Sequence, residues 1–173
     1  MSLRALLASC VLVALVGGCA TPSKLQAPIE GDHLSGRLAL KVEGDSARSF
    51  SAAFELDGGP ALGQLSLTSP LGTRVAEARW APGSAVLANS DGKRVYADLQ
   101  DLSRDALGES VPLVALFDWL QGRPWSGAPA EAREGGFEQL GWRIDLQRQA
   151  EGLIVVTRSV PTLVSLRVKL DSK

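Results

Sequence analysis

The amino-acid sequence predicts a mainly β protein, an incompletely closed antiparallel β-barrel with a helical lid. Three observations carry this expectation. From about residue 32 to residue 97, apolar and polar side chains alternate with a period of two, which lays one face of each strand on a core and leaves the other wet. Breaks rich in Gly, Pro and Asp ("EGDS", "DGGPALG", "SPLG", "APGS", "NSDGK") punctuate that run at short, regular intervals, as in a meander of hairpins. The period then lengthens to that of a helix over about residues 98–121 before alternation returns, so helices stand between two runs of strands.

The elements follow in order. Residues 1–18, MSLRALLASCVLVALVGG, carry one charge, Arg4, and then an apolar run too short to span a bilayer with ease and ending in small residues, the pattern of a secretory signal. Val16-Gly17-Gly18-Cys19 resembles a bacterial lipobox, which makes Cys19 the predicted site of lipidation and the first residue of the mature chain. Leu7-Ala8-Ser9-Cys10 has a similar look but leaves only about five apolar residues after Arg4, fewer than the roughly seven a signal core needs. With Cys10 removed and Cys19 acylated, no thiol remains for a disulfide, a metal or a nucleophile. Ala20 after the cysteine, instead of an aspartate, implies sorting to the outer membrane, facing the periplasm. Two or more acyl chains hold a protein on a membrane stably. The formal net charge is −1, which gives no basic surplus for nucleic acid or for anionic lipid headgroups and leaves anchoring to the lipid.

Residues 19–31 read as a lipidated tether, with two prolines and little periodicity, and residues 32–173 as a single domain. Leu34, Gly36, Leu38, Leu40 and Val42 fall on one face of the first strand; Phe50, Ala52, Phe54 and Leu56 repeat the pattern in the second. Strands are expected next at Leu65–Leu67, Val75–Trp80, Ala85–Ala88 and Arg94–Ala97. In "ADLQDLSRDALG", Asp98 is placed to cap a helix whose Leu99, Leu102, Ala106 and Leu107 share a face, with Gly108 as the stop. "SVPLVALFDWLQG" puts Pro112 at a first helical position and Gly122 past the end. Leu113, Leu116, Phe117 and Leu120 form a stripe, and Val114 and Trp119 extend it around most of the cylinder, so this helix must be covered on several sides, lying across the concave face of the sheet. "RPWSGAPAEAREGG" reads as a loop, and strands return with "FEQLGWRIDLQRQ", "LIVVTRSV" and "LVSLRVKLDSK".

The residues offer no catalyst. His33 is the single histidine and sits at a strand start; without a free cysteine neither a zinc site nor a Cys–His pair can be assembled. No G-x-S-x-G elbow is present for ester hydrolysis, which leaves a lipid-ester hydrolase without nucleophile or base. "GGPALG" has the glycine spacing of a phosphate loop, but Gln64 and Leu65 stand where Lys and Ser/Thr belong, so a hairpin turn accounts for it better. What remains is apolar volume, either an ordinary packed core or a half-barrel left hollow beneath a movable lid. The residues leave both open, as they do for Leu71 in "TSPLGTR": between the turn formers Pro70 and Gly72 it either folds back on the core or points outward.

Four segments in order resemble the LolB family of outer-membrane lipoprotein receptors: "GRLALKV" (36–42), "LTSPLGTRVAEA" (67–78), "ADLQDLSRDALGESVPLVALFDWLQGRP" (97–124) and "LGW" (140–142). The resemblance implies an eleven-stranded unclosed barrel of the LolA/LolB type, whose helical lid covers a cavity for acyl chains. The activity implied involves no bond chemistry and no cofactor: a monomer accepts lipoproteins from the periplasmic carrier LolA and inserts them into the inner leaflet of the outer membrane. By place in the turn, the family's protruding leucine is Leu71, with Pro70 and Gly72 forming the delivery loop. The wall of the cavity would take Leu38, Leu40, Phe50, Phe54, Leu65, Leu67 and Trp80 from the first strands. Leu116 and Trp119 would join from the second helix, and Trp142 and Ile144 from the later strands. In one departure, "SKLQAPIEGDH" (23–33), with a proline inside, stands where the family has a helix before its first strand. The rival reading is a structural or protein-binding outer-membrane lipoprotein with a solid core; a cavity inside the folded domain separates the two.

Overall fold

The computed structural model describes residues 29–107 and 111–172. The signal segment, the lipobox with Cys19, the tether up to residue 28 and most of the stretch in place of the family's upstream helix lie outside the described residues.

Eleven strands form one antiparallel sheet. β1 (Asp32–Val42), β2 (Asp45–Gly58), β3 (Gly63–Thr68), β4 (Arg74–Ala81), β5 (Ser84–Asn89) and β6 (Gly92–Tyr96) come first. The helices α1 (Leu99–Leu107) and α2 (Leu113–Leu120) follow, then β7 (Ala130–Arg133), β8 (Gly136–Gln139), β9 (Trp142–Asp145), β10 (Leu153–Arg158) and β11 (Val164–Leu170). The strand order is β6-β5-β4-β3-β2-β1-β11-β10-β9-β8-β7, so two meanders are joined where the first strand pairs with the last. Among the described residues β6 and β7 share no ladder, and the barrel stays open between them.

Alternation produces the longest strands, as expected. In β1, Leu34, Gly36, Leu40 and Val42 are buried while Arg37, Ala39 and Lys41 are exposed; in β2, Ala52, Phe54 and Leu56 are buried while Ser51, Ala53 and Glu55 are exposed. Gly36 is on the inward face because β11 comes too close for a side chain: a Cβ there would lie 2.1 Å from the Lys169 carbonyl oxygen. The "GGPALG" segment is a hairpin connection, with Gly58 paired to Gly63 and the Gly59 N–H donating to the Leu62 carbonyl at 2.8 Å.

Two expectations for the second run need correction. The stretch "RPWSGAPAEAREGG", read as a loop, contains β7, which pairs with β8 from Ala130↔Gln139 to Arg133↔Gly136. All four β7 residues are exposed, so no apolar period could mark an edge strand held by backbone bonds and by the Arg133–Glu138 ion pair at 3.0 Å. "FEQLGWRIDLQRQ" holds parts of two strands, because Leu140 (φ 55°) and Gly141 (φ 78°) make a two-residue turn that sets Gln139 opposite Trp142. Left-handed conformation at both central positions matches the right-handed twist of a tight hairpin.

Candidate functional site

Under the concave face of β1–β5 the barrel is hollow. A cavity of about 570 Å³ lies between the inward side chains of those strands, the end of β11, and the two helices. Its strand wall carries Leu38, Leu40, Phe50, Phe54, Leu65, Leu67 and Trp80, and α2 contributes Leu116. Five polar members of the lining, Ser69, Asn89, Ser90, Asp91 and Arg94, gather at one end of the barrel, beside the β3–β4 and β5–β6 turns; Ser51 on β2 and Ser103 and Asp105 on α1 are the others. The interior is therefore apolar and its polar edge marks one rim.

The helix α2 divides this hollow part from a packed one. Leu113, Leu116 and Leu120, at i, i+3 and i+7, line the cavity. Ala115 and Trp119, at i and i+4, are fully buried outside it, and the Phe117 ring meets Trp80 edge-on with centroids 5.9 Å apart. The all-round apolar character of the helix thus reflects two different neighbours, empty space on one side and close packing on the other.

Three residues expected on the cavity wall are absent from it. Trp119, Trp142 and Ile144 are fully buried among the side chains of the packed part. Trp119 is held there by its indole N–H, which donates to Gln139 Oε1 at 2.7 Å. The same amide accepts the Trp125 backbone N–H at 2.9 Å and donates to the carbonyls of Trp125 and Ala128, both at 2.7 Å. Gln139 is itself buried and pins the 121–129 loop to the barrel. Sequence reasoning missed it, although its signal was legible: it follows Phe137 at an inward alternate position, and a polar residue there needs buried partners. Trp142 packs under the Arg158 guanidinium, 4.9 Å from the ring centroid.

The helix α1 is fastened at its start and at its middle. Asp98 Oδ1 accepts the Asp101 N–H at 2.8 Å, the expected cap, and the buried Ser103 hydroxyl donates to the Val111 carbonyl at 2.8 Å. Pro112 stands one residue before the first turn of α2 instead of within it. On the side facing β6, Asp105 Oδ2 accepts the Tyr96 hydroxyl at 2.6 Å and Arg94 Nη1 at 2.8 Å. The Tyr96 hydroxyl, and then the Arg94 charge, hold the Asp105 carboxyl below its ordinary value. His33 is exposed, its Nδ1 2.6 Å from Asp57 Oδ1.

The β3–β4 turn decides the position of Leu71. The Gly72 N–H donates to the Ser69 carbonyl at 2.9 Å, and the Ser69 N–H donates to the Thr73 carbonyl at 2.8 Å. Pro70 takes the second turn position, and Gly72 at φ 82° takes the left-handed one. Leu71 between them is 94% exposed. It does not fold back.

The model of the family described as outer membrane lipoprotein LolB matches residues 33–172. This chain belongs to the LolB family. The outer-membrane lipoprotein LolB of Bordetella parapertussis is 37% identical over 169 residues, covering 88% of this chain and 84% of the relative. The protein of that name from Bordetella petrii is 36% identical over 165 residues, 87% of this chain and 83% of the relative. That from Chromobacterium violaceum is 34% identical over 154 residues, 87% and 82% respectively. The open barrel, its two helices and the hollow beneath them are therefore the architecture of a LolB-family chain, and its role is that of an outer-membrane lipoprotein of this family. No helix among its described residues is long and apolar enough to cross a membrane.

Proposed function

We propose that this LolB-family domain accepts the acyl chains of lipoproteins from the periplasmic carrier LolA in its apolar cavity. It then releases them into the inner leaflet of the outer membrane, to which Cys19 anchors it. The observation that carries this reading is the apolar cavity of about 570 Å³ with Leu71 projecting from the rim where its polar lining gathers. That volume is within the range of about 300–1,000 Å³ usual for small-molecule sites.

The energetics suit a handoff without a chemical step. Each acyl chain hides on the order of 14 methylenes, about 11 kcal/mol of apolar transfer at about 0.8 kcal/mol each. A downhill transfer needs the receptor to exceed the carrier by only about 1.4 kcal/mol per tenfold preference, and the membrane then competes with both. Walls of Leu, Phe and Trp grip a chain without directional bonds, so the grip can be released by a shift of α1 or α2. The test is saturable uptake of a fluorescent fatty-acyl probe. Leu65→Trp and Leu116→Trp, which narrow the hollow, should each weaken uptake at least tenfold, and a domain that takes up no probe would remove the reading.

A further inference from the structure

Four of the large apolar side chains that the fold leaves exposed belong to loops at one end of the sheet. Leu71 is in the β3–β4 turn, Val160 (77% exposed) and Leu163 (41% exposed) are in the β10–β11 loop, and Leu140 (46% exposed) is in the β8–β9 turn. Strand directions put these connections on the same rim: Thr68 pairs with Arg74, Arg158 with Val164, Val164 with Val42, and Gln139 with Trp142. The β10–β11 loop is tied into that rim by the Glu43 N–H, which donates to the Leu163 carbonyl at 2.9 Å. Between the Leu71 turn and this loop lie four strand spacings, roughly 19 Å along the sheet at about 4.8 Å each.

Charge is divided between the two ends. Lys41, Arg48, Arg74, Lys93, Arg94 and Arg158 lie near the apolar tips, against Glu43, Asp45, Glu77, Asp91 and Asp105, of which Asp45, Glu77 and Asp105 pair with Arg48, Arg74 and Arg94. At the opposite end Asp32, Asp57, Asp98, Glu134, Asp145, Glu151 and Asp171 lie near the strand ends and turns, against Arg79, Arg133, Arg148 and Lys169. A chain with a formal net charge of −1 thus carries its acidic excess at the end away from the apolar tips and leaves the apolar-tipped rim slightly basic. Basic residues interleaved with isolated apolar tips on one plane match the surface of a bilayer with anionic headgroups, which takes up apolar tips wherever they touch.

We propose that the β10–β11 loop, through Val160 and Leu163, is a second membrane contact that works with Leu71 and seats the cavity rim flat on an anionic lipid surface. This rests on the reading that the rim delivers to a membrane, yet it concerns contact and not transfer. Contact without acyl uptake would therefore sink the delivery reading alone, and uptake without contact would sink the present inference alone.

The test uses the full-length anchored chain in vesicles of phosphatidylethanolamine and phosphatidylglycerol carrying nitroxide-labelled headgroups. A fluorophore is attached at Val160→Cys or, at the acidic end, at Pro82→Cys in the β4–β5 turn, both over the same native cysteines. Quenching at position 160 should exceed that at position 82 at least threefold, and should fall at least twofold when phosphatidylcholine replaces phosphatidylglycerol. Val160→Glu should halve the quenching of a fluorophore at Leu71→Cys while leaving the melting temperature unchanged. Equal quenching at the two ends, no effect of Val160→Glu on the Leu71 site, or shielding of position 160 without vesicles by a second copy of the chain would each overturn the proposal.

Discussion

Pro70 holds its own φ near −65° and Gly72 supplies the left-handed conformation, so the residue between them is carried outward whatever its polarity. Closure of this turn by its own backbone bonds leaves Leu71 without neighbours to lose, and Leu71→Glu should change stability by less than about 0.5 kcal/mol. A leucine dipping into an interface contributes about 1–2 kcal/mol, and a carboxylate is repelled there. Release of a carrier-loaded lipoprotein into liposomes should therefore slow at least tenfold with carrier-to-receptor transfer intact; equal release rates would refute the role. Gln139 has the opposite situation, since every polar atom of its amide is used by Trp119, Trp125 or Ala128. Gln139→Leu strips the buried Trp119 indole and the Trp125 amide of their acceptor, at about 1–3 kcal/mol for each group left unsatisfied. Urea unfolding should show a loss of about 2–4 kcal/mol, and Gln139→Glu, which keeps the acceptor but sets a buried carboxylate oxygen against the Trp125 and Ala128 carbonyls, should not recover it.

At the scale of elements, α1 and α2 differ in what holds them. α2 is wedged by Phe117 against Trp80 and by Trp119 in the packed part, whereas α1 buries only the aliphatic Leu99 and Leu102 and is tied further by the Asp98 cap, Ser103 and the exposed cluster of Asp105, Tyr96 and Arg94. Asp105→Asn should raise amide exchange in α1 several-fold without altering that of β1 or β11. The pH dependence has a definite sign. Because the folded Asp105 carboxyl is held below its ordinary value, its contribution is complete above the unfolded carboxylate range near pH 4 and is lost as pH falls through the folded value. Exchange in α1, corrected for its intrinsic rate, should therefore become alike in the wild type and Asp105→Asn once acidification protonates the carboxyl. Legibility also varied by element. β1 and β2 could be read from alternation, while β7 could not, since all its side chains are exposed and its pairing comes mostly from main-chain groups that every sequence carries.

For the whole molecule, the geometry of anchoring follows from strand direction. β1 starts at the end opposite Leu71, since Asp32 pairs with Gly58 at the far end of the sheet. An eleven-residue strand spans roughly 36 Å at about 3.3 Å per residue. From Cys19 to Asp32 the chain has about 13 residues, an extended reach of roughly 44 Å at about 3.4 Å each. The anchor proposed at Cys19 would thus pass the height of the barrel and still let the cavity rim meet the same membrane. Deleting residues 21–28 cuts the reach to roughly 17 Å. Acyl-probe uptake should then persist while delivery into the anchoring membrane falls at least tenfold; delivery at the full rate would show that the rim does not need to turn toward that bilayer.

Residue order by itself determined the periods, the turn positions and the strand-helix-strand order, because each depends on neighbours within a few positions; that Leu71 points outward was decided by the folded turn. It also placed Leu38, Leu40, Phe50, Phe54, Leu65, Leu67, Trp80 and Leu116 on inward faces, and these line the cavity. Only the tertiary structure decided that Trp119, Trp142 and Ile144 face packed side chains while those eight face open space. A period of two or 3.6 states which face turns inward, but whether that face meets atoms or a void depends on its distance from α2. That distance is set by the curvature of a sheet whose first and last strands are partners, a property of the whole chain at once.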